Sequence, residues 1–394
     1  MENTAIHNNE KTRQVSICPC GSYDAAEVRK SLTSLLRPIG GLDFVKPGMT
    51  VAIKVNMVSS KKPETATTTN PVLLAELCRM LQARGAKVIL GDSPGGPYRA
   101  AMLRNAYKVC GYQPLQELGV ILNEDVSVKE TTFTQAVSIK TFQYTAWLDE
   151  ADCIINFCKL KTHAMMNMTC AVKNFFGTIP GTTKAEYHMR FPDYQAFANM
   201  MIDLQEYFKP VLHIVDAVDC MEGNGPTSGE PRHMGLLLAS RKPYDLDVIC
   251  AHLIGMEFEE VPTLVAAAAR GLGSSSYEEA RHFITGADPE DFVIKDFKRN
   301  ASKYEITFIN FGPAQKLVKK AMQSALATRP QVKKQECIGC KRCHDICPAK
   351  AITMKNKLPV IDRSKCIRCF CCQEFCPVGA MKVHRKLIGR MLEH

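Results

Sequence analysis

Two cysteine runs near the C-terminal end constrain the fold of this chain more than any other feature. In the first run, Cys337, Cys340, Cys343 and Cys347 follow the spacing Cys-x-x-Cys-x-x-Cys-x-x-x-Cys and precede a proline. The same spacing, again followed by proline, recurs at Cys366, Cys369, Cys372 and Cys376. Two copies of this run are typical of bacterial ferredoxins that hold two [4Fe-4S] clusters. The sequence therefore predicts a protein that handles single electrons.

The spacing also predicts which cysteines bind which cluster, because the fourth cysteine of each run binds the cluster of the other run. The two predicted ligand sets are Cys337, Cys340, Cys343 and Cys376 for one cluster, and Cys366, Cys369, Cys372 and Cys347 for the other. A pair of zinc sites is the alternative, but tetrahedral zinc does not explain the third cysteine and the proline of both runs. Cys371 lies outside the spacing and is predicted not to be a ligand.

Length and composition indicate a soluble protein of two or three domains. The 394 residues are enough for one large core and a small module. No run of about 18 apolar residues is present, so no membrane-spanning helix is expected. Residues 1–14 lack the apolar segment of a signal peptide and are expected to form a disordered tail. The nine cysteines outside 337–376 are scattered, which is typical of a reducing compartment, so we expect a cytoplasmic location.

The net charge of +10 is concentrated at the C-terminal end. Residues 316–394 contain 18 Lys and Arg but only 5 Asp and Glu. Nucleic-acid binding is one interpretation of a basic tail. Compensation of two anionic clusters explains the excess better, since charge around a cluster tunes its potential. The same surplus would steer an acidic redox partner towards the module.

Alternating strands and helices predict an α/β domain over residues 15–312, with a mostly parallel sheet and helical crossovers. The predicted strands are Val15–Cys18, Val51–Asn56, Lys87–Leu90, Asp152–Phe157, Val211–Val215, Met234–Ala239 and Lys303–Asn310. Residues 313–333 are predicted to be a basic linker that contains the helix Gln315–Leu326. Residues 334–386 are predicted to be a ferredoxin-like domain with two clusters.

Polar groups that follow the predicted strands define a candidate ligand site. In an open α/β sheet, ligands bind beyond the carboxyl ends of the strands, so these groups are expected to meet in one crevice. The candidate binding residues are Lys54, Asn56, Asp92, Ser93, Lys159, Lys161, His163, Lys173, Asn174, Glu222 and Asn224. Lys54, Lys161, His163 and Lys173 are also the candidates for a catalytic role. Solvated lysines and ordinary glycine turns remain the alternative for each group.

Five short motifs of this region resemble one family of uncharacterised proteins. They are Lys54-x-Asn56, Gly91-Asp-Ser-Pro94, Lys159-Leu-Lys-Thr-His163, Val172-Lys-Asn174 with Gly177, and Glu222-Gly-Asn-Gly-Pro226. Together they are similar to the domain-of-unknown-function 362 family, whose members often carry a C-terminal two-cluster ferredoxin domain. The resemblance implies the domain order predicted here, and it implies no particular reaction.

The favoured function is an iron–sulfur oxidoreductase that passes electrons from two [4Fe-4S] clusters to a ligand in the crevice. Several lysines with His163 indicate a small anionic ligand, such as a carboxylate or a phosphate. No Gly-x-Gly-x-x-Gly follows a strand, so a nicotinamide site of Rossmann type is not predicted, whereas flavin stays open. The alternatives are an electron carrier that docks on a partner enzyme and an iron–sulfur assembly protein.

Overall fold

The computed structural model describes residues 12–299 and 329–384. The strands are β1 Val15–Pro19, β2 Thr50–Val55, β3 Lys87–Gly91, β4 Ile121–Leu122, β5 Val128–Thr132, β6 Thr141–Thr145, β7 Cys153–His163, β8 Asn167–Thr169, β9 Leu212–Glu222, β10 Glu230–Ser240, β11 Ile284–Gly286, β12 Arg329–Val332, β13 Ile352–Lys355, β14 Leu358–Ile361 and β15 Met381–His384. The α-helices are α1 Ala25–Leu36, α2 Pro71–Gln82, α3 Ala100–Val109, α4 Ala171–Asn174, α5 Thr183–Arg190, α6 Tyr194–Phe208, α7 Pro243–Leu253, α8 Pro262–Ala269, α9 Tyr277–Ala280, α10 Arg342–Asp345 and α11 Cys371–Glu374. None of the helices in these two ranges is long and apolar enough to cross a bilayer.

A nine-stranded sheet organises residues 12–299, in the order β11-β1-β10-β9-β7-β2-β3-β4 with β8 beside β7. The neighbours β9, β7, β2, β3 and β4 all run parallel, whereas β10 is antiparallel to both β9 and β1. This arrangement confirms the predicted α/β class. It places the carboxyl ends of β2, β3, β7 and β9 along one edge, where a ligand site is expected.

Local sequence signals fix the helices that cross between these strands. The Asp24 carboxylate accepts hydrogen bonds from the first turn of α1, and Asn70 does the same for α2. Pro71 occupies the first position of α2, where its missing N–H has no intrahelical partner to lose. Asp and Asn are both favoured at this position, because their side-chain oxygens accept from backbone N–H groups that have no partner within the helix. Alternate residues of β2 then bury Val51, Ile53 and Val55 against these helices on one face of the sheet.

Two strands continue further than the sequence predicts. β7 was expected to end at Phe157, with the polar residues Lys159–His163 beyond its end, but it runs to His163. β9 was expected to end at Val215, but it runs to Glu222. The reason is that the polar residues of the extensions bond to one another inside the protein, so their side chains do not need solvent. Lys159 of β7, for example, lies in register with Asp216 of β9.

Residues 329–384, here called the cysteine-rich module, form two small antiparallel sheets, β12 with β15 and β13 with β14. The backbone conformation repeats between the two cysteine runs. Gly339 and Lys341 have positive φ on either side of Cys340, and Arg368 and Phe370 have positive φ on either side of Cys369. The module therefore contains two copies of one loop, as the doubled spacing predicts.

The ends of the two described ranges differ in part from the predicted boundaries. The strand Lys303–Asn310 and the helix Gln315–Leu326 lie outside the described residues. Arg329–Val332 was predicted to be linker, but it pairs with β15 as a strand of the module. Arg13 was predicted to lie in a disordered tail, but its guanidinium pairs with the Asp245 carboxylate at 2.8 Å, which holds it against the domain.

Candidate functional site at the domain interface

A cavity of about 590 Å³ lies between the carboxyl edge of the sheet and the cysteine-rich module. The sheet side contributes Asn56, Asp92, Ser93, Lys161, Lys173 and Asn174 of the predicted residues. The module contributes Arg342, Asp345, Ile346, Cys371, Glu374, Phe375, Cys376 and Pro377. The remaining predicted residues, which are Lys54, Lys159, His163, Glu222 and Asn224, do not line it. The structure thus divides the predicted site into a lining and a supporting layer.

Lys54 belongs to the supporting layer. Its buried ammonium lies 2.8 Å from the Asp92 carboxylate and donates to the Val55 carbonyl at 2.8 Å. Burial lowers the pKa of Lys54, and the Asp92 charge opposes that shift. Gly177 packs against this pair, because a Cβ at that position would lie 2.2 Å from Asp92 Oδ1 and 2.5 Å from Lys54 Nζ. Lys54 therefore holds the β2 and β3 ends together.

Lys159 also belongs to the supporting layer, because its ammonium is bonded to protein groups. Its ammonium lies 2.9 Å from Asp216 Oδ2 and also donates to the Tyr23 hydroxyl at 2.9 Å. Asp216 is fully buried and accepts a further hydrogen bond from the backbone N–H of Asn70. This ion pair joins β7 and β9 to the start of α2 and lies away from the cavity.

Lys161 reaches the cavity but has two protein acceptors. Its ammonium donates to Asn56 Oδ1 at 2.7 Å and to the Thr67 carbonyl at 2.6 Å. Asn56 in turn donates to Asn174 Oδ1 at 2.8 Å. Burial lowers the pKa of Lys161 well below its ordinary value, and the charge of nearby Lys173 adds to the shift. A ligand could accept the third N–H.

Lys173 differs from these three lysines. It lies on α4, whose first N–H groups, at Ala171 and Val172, donate to the buried Asp247 carboxylate at 2.9 and 3.1 Å. Its ammonium lies 5.8 Å from the centre of the Phe176 ring, and no residue in the described ranges accepts a hydrogen bond from it. Burial lowers the pKa of Lys173, and the Glu374 carboxylate opposes the shift. Lys173 is therefore the lysine best placed to receive an anion.

His163 lies behind the cavity and faces the module. Its Nδ1 accepts the backbone N–H groups of Met165 and Met166, both at 3.0 Å, so the ring proton is on Nε2. That nitrogen lies 2.6 Å from the Glu374 carboxylate of α11. Burial lowers the pKa of His163 to about 4, so the ring is neutral at pH 7. Burial favours protonation of Glu374, but its interactions with His163, which include a hydrogen bond, and with the Lys173 ammonium outweigh burial and keep the pKa of Glu374 at about 2.

The sequence did not single out three residues that line the same cavity. Lys184 of α5 donates to the Ser93 carbonyl at 2.7 Å, and burial lowers the pKa of Lys184 to about 7. Thr169 Oγ1 and His188 Nδ1 are buried and have no hydrogen-bond partner among the described residues. Buried polar atoms are nearly always satisfied by protein, water or ligand, so both atoms mark positions where a water or a polar ligand atom is expected. No sequence signal identified α5, because its residues follow no strand of the sheet.

The two remaining candidates lie at the edge of the interface. Glu222 accepts the backbone N–H of Lys298 at 3.0 Å and does not face the ligand space. The backbone carbonyl of Asn224, rather than its side chain, accepts a hydrogen bond from Gln373 of the module at 2.9 Å. Their common role is to shape the loop on which the module rests.

The module is docked by close packing and by several hydrogen bonds. The Phe375 ring covers Gly95, where an added Cβ would lie 2.5 Å from the ring. The Thr227 hydroxyl donates to the Glu374 carbonyl at 3.0 Å, and Lys61 donates to the Pro377 carbonyl at 3.3 Å. The module thus forms one wall of the cavity.

The cysteines of the module gather in two sets of four. Cys337, Cys340, Cys343 and Cys376 surround one space of about 20 Å³, and Cys347, Cys366, Cys369 and Cys372 surround another of about 20 Å³. The sulfur of Cys347 accepts the N–H of Ala351 at 3.2 Å, and the sulfur of Cys376 accepts the N–H of Ala380 at 3.2 Å. Four thiols with N–H donors to sulfur fit the chemistry of an iron–sulfur cluster.

This module, joined to an α/β domain, defines the class as an iron–sulfur protein. A 4Fe-4S dicluster domain matches residues 336–380, and a domain of unknown function, DUF362, matches residues 51–252. The chain is also 34% identical over 290 residues to the thylakoid-associated protein sll1697 of Synechocystis, covering 73% of this chain and 87% of that one. The chain belongs to the DUF362 family.

Solved structures show only weak similarity. The lactate racemase apoprotein of Thermoanaerobacterium thermosaccharolyticum aligns with a TM-score of 0.40 at 12% identity, over 63% of this chain and 59% of that one. A structural-genomics protein of Thermotoga maritima aligns with a TM-score of 0.33 at 12% identity, over 49% of this chain and 50% of that one.

Proposed function

We propose that this protein is an oxidoreductase in which electrons pass from two [4Fe-4S] clusters to an anionic ligand in the cavity. One observation carries the proposal: Lys173 and Cys376 line the same cavity, from the sheet side and the module side. A thiol of one cysteine set therefore borders the space that also holds a cation without a protein acceptor. An electron carrier alone would not need such a space.

Each cluster would be held by one of the two sets of four cysteines. When bound, the clusters supply electrons one at a time. The N–H groups of Ala351 and Ala380 would stabilise charge on the sulfurs of Cys347 and Cys376. Bound clusters predict about eight iron and eight sulfide per chain. A content near four iron, or stoichiometric zinc in protein purified without air, would contradict this part of the proposal.

The ligand class follows from which of the buried lysines remain available. Lys54, Lys159 and Lys184 already donate to oxygen atoms of the protein, and Lys161 has two such acceptors. Lys173 would therefore bind the anionic group, with Thr169 and His188 supplying polar contacts. Met102, Phe176 and Phe375 line other parts of the cavity. A carboxylate or phosphate with an apolar portion matches these walls.

Ligand binding would change the charge state of Lys173. An opposite charge within about 4–6 Å favours the ammonium form, so a bound anion would reverse the lowering of its pKa by burial. Affinity for an anion is then expected to decrease as pH rises, because deprotonated Lys173 loses the charge attraction. This dependence distinguishes Lys173 from a lysine that is permanently paired.

The test starts with anaerobic purification and mass spectrometry of the small molecules that co-purify. Flavin, which the sequence leaves open, would be recognised by its own mass and absorbance. Lys173→Met keeps the side-chain length and removes the charge, and Lys30→Met at an exposed position of α1 is the control. We expect Lys173→Met to lose the ligand and Lys30→Met to retain it, with the cluster absorbance unchanged in both. A cavity that binds no small molecule in the unaltered protein would favour the electron-carrier alternative.

The location of the protein is part of the same proposal. The cyanobacterial relative is named as thylakoid-associated, and that description applies to the relative. We propose that the protein of this chain is cytoplasmic, as the scattered cysteines predict. Cell fractionation with detection of the native chain tests it, and recovery of the protein in a washed membrane fraction would contradict it.

A further inference from the structure

One cysteine set has a solvent-exposed side that the proposed function does not use. Cys340 is exposed, and beside it Ile338 is 64% exposed and Val378 is 43% exposed. All three residues line the space surrounded by the first set. The two exposed apolar side chains and Cys340 together form a small apolar surface on this side of the set.

Two lysines flank this surface. Lys341 follows Cys340 directly and is exposed. Lys357 is exposed at the turn between β13 and β14, and its carbonyl lies 3.0 Å from the position of a Cβ at Gly339. We define Ile338, Cys340, Lys341, Lys357 and Val378 as the donor face.

The second set has no equivalent surface. Cys347, Cys366 and Cys369 are partly buried, Cys372 is buried, and Cys340 is the single exposed residue among the 18 cysteines, all of which lie in the described ranges. Cys376, which belongs to the same set as Cys340, lines the ligand cavity. The first set therefore reaches from solvent on one side to the cavity on the other. The rate of electron transfer falls steeply with distance. An external electron carrier can therefore approach the first set, through exposed Cys340, more closely than the second set.

The charge of the module favours an acidic partner. Residues 329–384 contain twelve Lys and Arg against four Asp and Glu. Each of the four acids already lies near a basic nitrogen of the protein: Glu336 near Lys333 at 3.2 Å, Asp345 near His344 at 2.8 Å, Asp362 near Lys365 at 3.9 Å, and Glu374 near His163 at 2.6 Å. Lys341 and Lys357 have no such partner within the described chain. Their positive charge is available to attract carboxylates of another protein.

We infer that the donor face is the docking surface for an acidic, one-electron carrier protein that reduces the first cluster through Cys340. The inference rests on the proposed function, because it requires the clusters. A small apolar centre flanked by lysines suits a weak and short-lived complex, and electron-transfer encounters have small interfaces. Charge attraction would accelerate encounter and orient the carrier.

The experiment uses the complete, cluster-loaded chain and reduced flavodoxin as an acidic probe without clusters. Lys341→Glu/Lys357→Glu is compared with Lys350→Glu/Arg363→Glu, a pair of exposed positions beside the second set with the same change in net charge. Stopped-flow absorbance gives the rate of cluster reduction, and calorimetry gives the Kd for oxidised flavodoxin. Both variants are also reduced with dithionite, which needs no docking surface.

At low ionic strength we expect the donor-face pair to slow reduction by flavodoxin about 10-fold or more and to weaken binding, with little effect of the control pair. The difference should shrink at about 0.5 M salt, where screening acts over a few ångströms. Equal slowing by both pairs, or no slowing by either, would overturn the inference. Failure of dithionite to reduce the unaltered protein would instead count against the proposed function.

Discussion

The α/β domain and the cysteine-rich module are held together in different ways. The domain has three large apolar clusters on the two faces of its sheet, and its buried lysines are bonded to buried oxygen atoms. The main cluster of the module has only six buried residues, of which Cys343, Cys372 and Cys376 are three. A region that contributes half of its core as predicted cluster ligands depends on those clusters to fold. We therefore expect the cavity wall that the module forms to depend on bound clusters, whereas the wall formed by the α/β domain does not.

The largest expected effect follows from removing a cluster ligand. Cys372→Ala should disturb one cluster and unfold the module, because about 50 residues are too few for an independent core. Cys78→Ala, at a buried cysteine of the domain core, is the matched control and should leave both clusters in place. Hydrogen exchange should show lost protection in β12–β15 and retained protection in β2 and β7. Simultaneous loss of protection in both regions would break the distinction between them.

The second prediction concerns the buried ion pair of the domain. Lys159→Ala should reduce the free energy of unfolding by about 3–5 kcal/mol, because it leaves the Asp216 carboxylate buried without its partner. Arg84→Ala removes an exposed pair with Asp43 and should cost less than about 1 kcal/mol. Urea unfolding followed by circular dichroism measures both changes. Equal costs would show that burial does not decide the strength of these pairs.

The third prediction tests the contact between the two regions. Gly95→Ala places a methyl group 2.5 Å from the Phe375 ring and should weaken docking by about 1–3 kcal/mol. Hydrogen exchange of residues 371–377 should increase, and ligand affinity should decrease. Adding Phe375→Leu should restore part of the protection by making room for the methyl. Gly21→Ala, where the nearest atom would lie at 3.4 Å, is the control for the loss of a glycine.

The smallest expected effect concerns acid. Burial lowers the pKa of His163 and His188 to about 4 and that of His213 to about 3. Between these values and about 6.5 the unfolded chain binds more protons, so stability falls as pH is lowered through that window. His188→Phe keeps the stacking on Phe197 at a ring separation of 4.5 Å but removes one titrating group. The slope of the free energy of unfolding against pH should decrease by about 1.4 kcal/mol per pH unit. An unchanged slope would contradict the lowered pKa of His188.

Much of this fold is predictable because its signals are local. The caps at Asp24 and Asn70 and the strand–helix alternation depend on neighbours in the chain. The ends of β7 and β9 are not predictable in the same way. Polar residues at these positions are typical of exposed segments beyond a strand. They can be buried only because other parts of the chain provide bonding partners for them.

The cysteine spacing, the order of the two regions and the polar residues near the strand ends can be read directly from the chain. Which of those polar residues remain available to a ligand depends on contacts that form only in the folded protein. Lys54, Lys159 and Lys173 look alike in the chain, yet two of them are paired with buried aspartates and one is not. The physical reason is that a buried ammonium must find an acceptor, and the acceptor comes from a distant part of the chain. Lys184 and His188 became part of the site because folding brings α5 to the edge of the sheet.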